Sequence, residues 1–251
     1  MPNWCYNYMT VMGNKREIAK FVSDITVADV QQNGIHSSVT VEYDLNKLVP
    51  LDPRGFIEKT HTHTNAEGEE VTTTMTVFAD KTRDGFDGYM DACETWGSKW
   101  GACRPEIDDT TPVKNTISVR YESAWSPADG LIQKISALYP NLIFGVCSDE
   151  ESRAFVCWSV FQNGKIIEAG ERDPQHLTPE LSQLCEKAEA EDAPDDAMEE
   201  WWEAHSEWNN YLMEQCDDDM ETVMREYMKH LAYVRRCEKE GRTPRTFISS
   251  V

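Results

Sequence analysis

The sequence predicts an α+β fold: a ferredoxin-like antiparallel sheet with helices on one face, followed by an acidic helical extension. Three observations predict it. Over the first 170 residues, period-two runs and helical stripes give strand–helix–strand, an elaborated middle, then strand–helix–strand–strand–strand. Residues 59–79 form two Thr-rich alternating runs around NAEGEE, polar on both faces, which predicts a projecting hairpin. After Arg172 the chain turns acidic, and from 195 to 240 it contains neither Gly nor Pro. The expected division is a domain over 1–172 and a helical extension over 173–251.

Residues 3–12 (NWCYNYMTVM) combine aromatic and β-branched residues as a strand does. Gly13-Asn14 ends it, and Asn14 with Glu17 has capping-box spacing. Ile18, Phe21, Val22 and Ile25 then share one helical face. Residues 38–43 alternate as a second strand, and Phe86, Tyr89, Cys93 and Trp96 suggest a short helix over 86–97. TISVRYE (116–122) alternates again. Ser126-Pro127 then predicts a helix with the hydroxyl at its cap and proline in its first turn, its stripe being Leu131, Ile132, Ile135 and Leu138. Strands at 142–148 and 153–161, an Asn163-Gly164 turn and a strand at 165–169 close the domain.

In the extension, Thr178-Pro179-Glu180 opens a helix with Leu181, Leu184, Cys185 and Ala188 on one side. Beyond it Met198, Trp201, His205, Trp208, Leu212, Cys216, Met220, Val223, Tyr227, Leu231 and Val234 recur at three- and four-residue steps. Such a stripe can offset the entropy of ordering, which a random acidic tract cannot. The run is either one very long helix or an antiparallel pair broken near 217, where Asp218 and Glu221 could form a capping box.

The formal charge of the 251 residues is −21. Between Glu186 and Glu221 fifteen carboxylates face one lysine, so −14 of it lies in 36 residues. Binding a nucleic-acid backbone depends on Lys and Arg displacing counterions, so direct nucleic-acid binding is not expected; a partner with a basic surface is. No apolar run has membrane-spanning length, and the N-terminus lacks a secretory pattern. Eight cysteines without CxxC spacing read as free thiols of a reduced, cytoplasmic protein.

Catalytic motifs are missing: GxGxxG, the P-loop, GxSxG and HExxH do not occur. No catalytic residue, metal or cofactor is assigned. His61 and His63 share a strand face without an obvious third ligand, and Glu226 with His230 reads as a surface pair. Cys5, Cys93 and Cys103 have no base nearby in sequence and read as core thiols. Two clusters are less ordinary. TWGSKWGACR (95–104) sets two tryptophans among glycines and cations, and YESAWSP (121–127) puts a third at a strand end. Trp96, Lys99, Trp100, Arg104, Trp125 and Ser126 could together form a pocket, an indole stacking on a base and a cation meeting phosphate. The alternative is that the tryptophans plug the core.

The opening MPNWC, YDLNKLVPL (43–51), WGSKWGAC (96–103), YESAWSPADGLIQKISALYP (121–140) and FxCWxVFxNGK (155–165) resemble the YubB-type ferredoxin-like domain of bacteriophages and conjugative plasmids. The resemblance covers about residues 1–170. The hairpin at 59–79 and the acidic region after 172 depart from it. It implies a fold and a mobile-element setting, and offers no catalytic residues to carry over.

In that setting the expected function is an accessory protein that inhibits a host protein, in defence or nucleic-acid handling, through an acidic and DNA-mimicking helical surface. The expected contacts are Asp195, Asp196, Glu199, Glu200, Trp202, Glu203, Glu207, Asp217, Asp218 and Asp219. Rigid charge costs less to bind than a disordered tail, and tryptophan supplies hot-spot contacts. Deleting 173–251 is expected to abolish binding and leave the core folded. A nucleotide-like ligand held by the tryptophan cluster, an enzyme acting on phosphoesters, and a homodimer built on the long helix are the alternatives.

Overall fold

A computed structural model of the chain describes residues 3–33, 36–65, 68–79, 85–107, 115–190, 194 and 196–251, with backbone alone for 28–33 and 36–40. Asp195 and the turn residues 66 and 67 lie outside the described residues. The order is β1 (Trp4–Met12), α1 (Lys15–Ile25), β2 (Thr26–Asn33), β3 (His36–Tyr43), β4 (Phe56–Thr64), β5 (Glu70–Phe78), α2 (Gly88–Trp96), β6 (Cys103–Ile107) and β7 (Thr116–Ala124). There follow α3 (Asp129–Leu138), β8 (Ile143–Glu150), β9 (Val156–Gln162), β10 (Lys165–Arg172), α4 (Pro179–Glu189) and α5 (Ala197–Lys239).

Six strands form one antiparallel sheet in the order β10-β9-β8-β1-β7-β6. Its inner part, β8-β1-β7-β6 with α1 and α3 as crossovers, is the ferredoxin-like unit, and β9 and β10 widen it by hairpins. The expected Asn163-Gly164 turn joins those last two strands, both residues having positive φ (49° and 75°) as a type I′ turn requires.

Alternation in the strands decides the layers. On one face Met9, Val11, Val119, Phe144, Val146 and Phe161 meet Ile18, Phe21 and Ile25 of α1 and Leu131, Ile132 and Ile135 of α3. On the other, Ile143, Cys147, Val156, Trp158 and Val160 meet Leu212, Cys216, Met220, Val223 and Met224 of α5. The helices of the ferredoxin-like unit thus keep to one side, while the acidic helix supplies the second layer. At Gly145 the approach is close: a Cβ there would collide with the sulfurs of Met220 and Met224.

The stripe read from the sequence is the buried side of α5, which runs unbroken for 43 residues; the break near 217 does not occur. Asn14 caps α1, its Oδ1 accepting from the N–H groups of Arg16 and Glu17 at 3.1 and 3.0 Å. Thr178 caps α4 through Leu181 N–H. One expected cap is corrected. Helix α3 begins at Asp129 without a side-chain cap, and Ser126 donates instead to Gly97 O at 2.8 Å.

Two ribbons stand outside the sheet, β2-β3 and β4-β5. Strand β2 escaped the sequence reading because TVADVQQN follows α1 directly and is polar in its second half. No described helix is long and apolar enough to cross a membrane.

Candidate functional site

Helix α5 packs mainly on β8, β9 and β10, and Met12 at the end of β1 joins the same core. The remaining half of that sheet face is open, and β1 turns Tyr6, Tyr8 and Thr10 toward it; Tyr8 is 46% exposed. Between this floor and the flank of α5 runs a groove of about 600 Å³. Tyr8, Thr10, Ser118 and Arg120 line its floor, and Met213, Glu214, Asp217 and Glu221 form its helical wall, with Asp149 at the junction.

The wall belongs to a longer feature. Glu199, Glu203, Glu207, Glu214, Asp217 and Glu221 recur at three- and four-residue steps, with Asn210 filling the one gap, so they share a flank of α5. At 1.5 Å per residue this acidic ridge is about 33 Å long. Burial pushes the Asp217 carboxyl above the usual range, and the neighbouring Glu221 and Asp218 carboxylates add to it. Burial also raises Asp149, although the Asn209 amide donates to it. The groove thus sets Asp149, Glu214, Asp217 and Glu221 against one cation, Arg120, on its floor, with Asp217 exposed to solvent. A further cation would relieve this excess of negative charge.

The expected partner contacts divide on these grounds. Glu199, Glu203 and Glu207 are exposed on the ridge, Asp217 faces the groove, and Asp218 is exposed beside it. Glu200 is instead paired with Lys187 of α4 at 2.6 Å, and Asp219 with Arg172 of β10 at 2.5 Å. In the folded chain these two acids are paired with α4 and β10. Asp196 sits just before α5, and Trp202 is exposed with the Arg153 guanidinium 5.4 Å from its ring centre. The same arginine contacts His205 Nδ1 at 2.8 Å, and His205 stacks on Trp201 at 4.7 Å. Glu214 and Glu221 were missed; a helical wheel anchored on Glu207 and Asp217 would have found them.

The tryptophan cluster comes apart as a pocket. Trp96 is 7% exposed, belongs to the core and donates from Nε1 to Val49 O at 2.8 Å, so it offers no ring face to a ligand. Trp125 is 55% exposed with φ of 69°. Trp100 tilts against Trp4 at 5.7 Å, with Lys99 Nζ 4.7 Å above its ring; Arg104 lies 4.8 Å above Trp4 and pairs with Glu122. Lys99 thus sits on Trp100, whereas Arg104 sits on Trp4, a ring outside the expected cluster.

What unites those motifs is a structural knot. Asn46 donates to Trp100 O and Ala102 O, both at 3.1 Å, and accepts from Ala102 N–H at 2.9 Å. Gly101, at φ of 63°, lies so close that a Cβ would collide with Asn46 Oδ1. Ser98 bonds both backbone groups of Ala124, and Ser126 holds Gly97 O. The NKLVP, WGSKWGAC and AWSP motifs therefore serve one another.

Among the described residues no group of three or more His, Cys, Asp or Glu is placed to hold a metal. His61 and His63 stack at 6.0 Å on the exposed β4. Burial pushes the Cys5 thiol up to about 12 and raises Cys103, which weighs against either as a nucleophile.

No protein-family model matches the sequence, and no curated protein matches it. Among solved structures, a crystal structure of a protein api92 from Yersinia pseudotuberculosis, of the family DUF1281, aligns with 68% of this chain and 98% of its own. Identity is 9% and the TM-score 0.39, too distant to bear on function.

Proposed function

We propose that this chain is a non-enzymatic binding protein that takes a basic segment of a partner protein along the acidic ridge of α5 and into the adjoining groove. One observation carries the reading: the carboxylates of Glu214, Asp217 and Glu221, on a helix held in place by its own core, line a concave surface over the half-exposed Tyr8. Charge fixed in this way binds without the cost of ordering a tail. Tyrosine and methionine beside it supply the apolar contact that bare electrostatics lacks. The resemblance to phage and plasmid domains suggests that the partner is a host protein. A basic nucleic-acid-binding surface is the natural counterpart of a rigid row of carboxylates, so occupying it would inhibit that partner.

The test is co-purification from bacterial cells with the triple variant Glu214→Lys, Asp217→Lys, Glu221→Lys. A second triple variant, Glu180→Lys, Glu186→Lys, Glu189→Lys on exposed positions of α4, matches the change in net charge. A specific partner should be lost from the ridge variant alone and elute from wild type as salt rises. Retention by the ridge variant, or equal loss from both, rejects the reading.

A further inference from the structure

The ribbon β4-β5 is a second surface in need of a partner. Phe56 and Phe78 stack at 5.5 Å at its base, and Phe78 meets Tyr89 of α2, which anchors that end. Beyond the base both strands are exposed. Nine residues per strand give a ribbon about 30 Å long. An isolated two-stranded ribbon is marginally stable in water unless one face is covered.

Register sorts its two faces. Thr60 with Thr74 and Thr62 with Thr72 pair across one, flanked by Glu58 and Glu70, which suits water. The opposite face carries Ile57, Val71 and Met75, all exposed, with Met75 at 50%. Lys59, His61 and His63 lie among them, and along the paired strands this face has no carboxylate. In a chain of net charge −21, an exposed face that is apolar and free of acid stands out. The sequence expectation of a ribbon polar on both faces is corrected here: runs of threonine conceal an apolar set that appears only when the strands pair in register.

We infer that this face docks against the acidic ridge and groove of a second copy of the chain. The ridge and the ribbon have similar lengths, about 33 and about 30 Å. The face presents one lysine and two histidine donors, and the groove wall presents Glu214, Asp217 and Glu221. Its apolar residues match Tyr8 and Met213 in the groove. The inference goes beyond the proposed function: it rests on the same groove but assigns the ribbon a role and makes self-association compete with the foreign partner.

Sedimentation of wild type over a concentration series, at low and high salt, reads the association directly. Three forms are compared: wild type, the ridge variant Glu214→Lys, Asp217→Lys, Glu221→Lys, and a ribbon variant Lys59→Glu, His61→Glu, His63→Glu. Circular dichroism establishes that each is folded. If a variant is not, Glu214→Gln, Asp217→Asn, Glu221→Gln or Lys59→Gln, His61→Gln, His63→Gln replaces it. Wild type should self-associate, more weakly in salt, and either variant alone should weaken association by about tenfold or more, equivalent to about 1.4 kcal/mol. An equimolar mixture of the two variants should restore it, because an intact ribbon then meets an intact ridge. Wild type that stays monomeric throughout overturns the inference, as does association that survives either variant or a mixture that stays apart. Capture of a foreign partner should survive the ribbon variant, so the inference can fail while the proposed function stands.

Discussion

Trp96→Ala removes an indole that fills the core and donates to Val49 O, and it should cost about 3–5 kcal/mol of stability in chemical denaturation. Trp125→Ala, at an exposed ring, should change stability by no more than about 0.5 kcal/mol. Comparable losses from both would mean that Trp125 is packed. Asp129 offers a pH signature. Burial raises its carboxyl above the usual 3.8, with Ser159 Oγ donating to it at 3.1 Å. In the window between the unfolded and raised folded values the native state holds the extra proton, so this group's contribution to stability falls as pH rises through the window. Asp129→Asn should therefore raise the melting temperature at neutral pH and lose that advantage below the ordinary carboxylate range. The helical stripe of 86–97 already gave Trp96 a face, and that face is core; Trp100 and Trp125 follow no periodic run, so their exposure was not legible.

The elements were largely legible, because each follows a period: two in β1 and β7, three and four in α1 and α5. What one sequence could not show is which sheet face a distant helix covers. The extension was expected to be removable, yet α5 shares a core with β8 and β9. Truncation at 172 would expose Ile143, Val156, Trp158 and Val160, each worth about 1.5–3 kcal/mol when buried. The fragment 1–172 should therefore be recovered aggregated, or with markedly lower stability in urea than the full chain. A soluble fragment of equal stability would show that the second layer is dispensable. Gly145→Val tests the same contact gently: crowding the sulfurs of Met220 and Met224 should destabilise by about 1–3 kcal/mol.

Over the whole molecule, charge is organised by the fold. Two of the acids predicted to meet a partner are tied down by Lys187 and Arg172, whereas Glu214 and Glu221 gain importance from the groove beside them. Composition revealed the excess of charge; only the position of α5 on half a sheet face shows where it is concave. Because Asp149 and Asp217 have raised carboxyls, they protonate as pH falls before ordinary carboxylates do. A cationic partner should therefore weaken over that window, and affinity measured from neutral pH downward checks it. The most direct measurement is hydrogen exchange on the complex recovered from cells, against the free protein. Added protection should fall on the peptides spanning 203–221 and 4–12. Protection confined to the 95–104 loop or α4, or unchanged exchange along α5, would contradict the ridge as the binding surface.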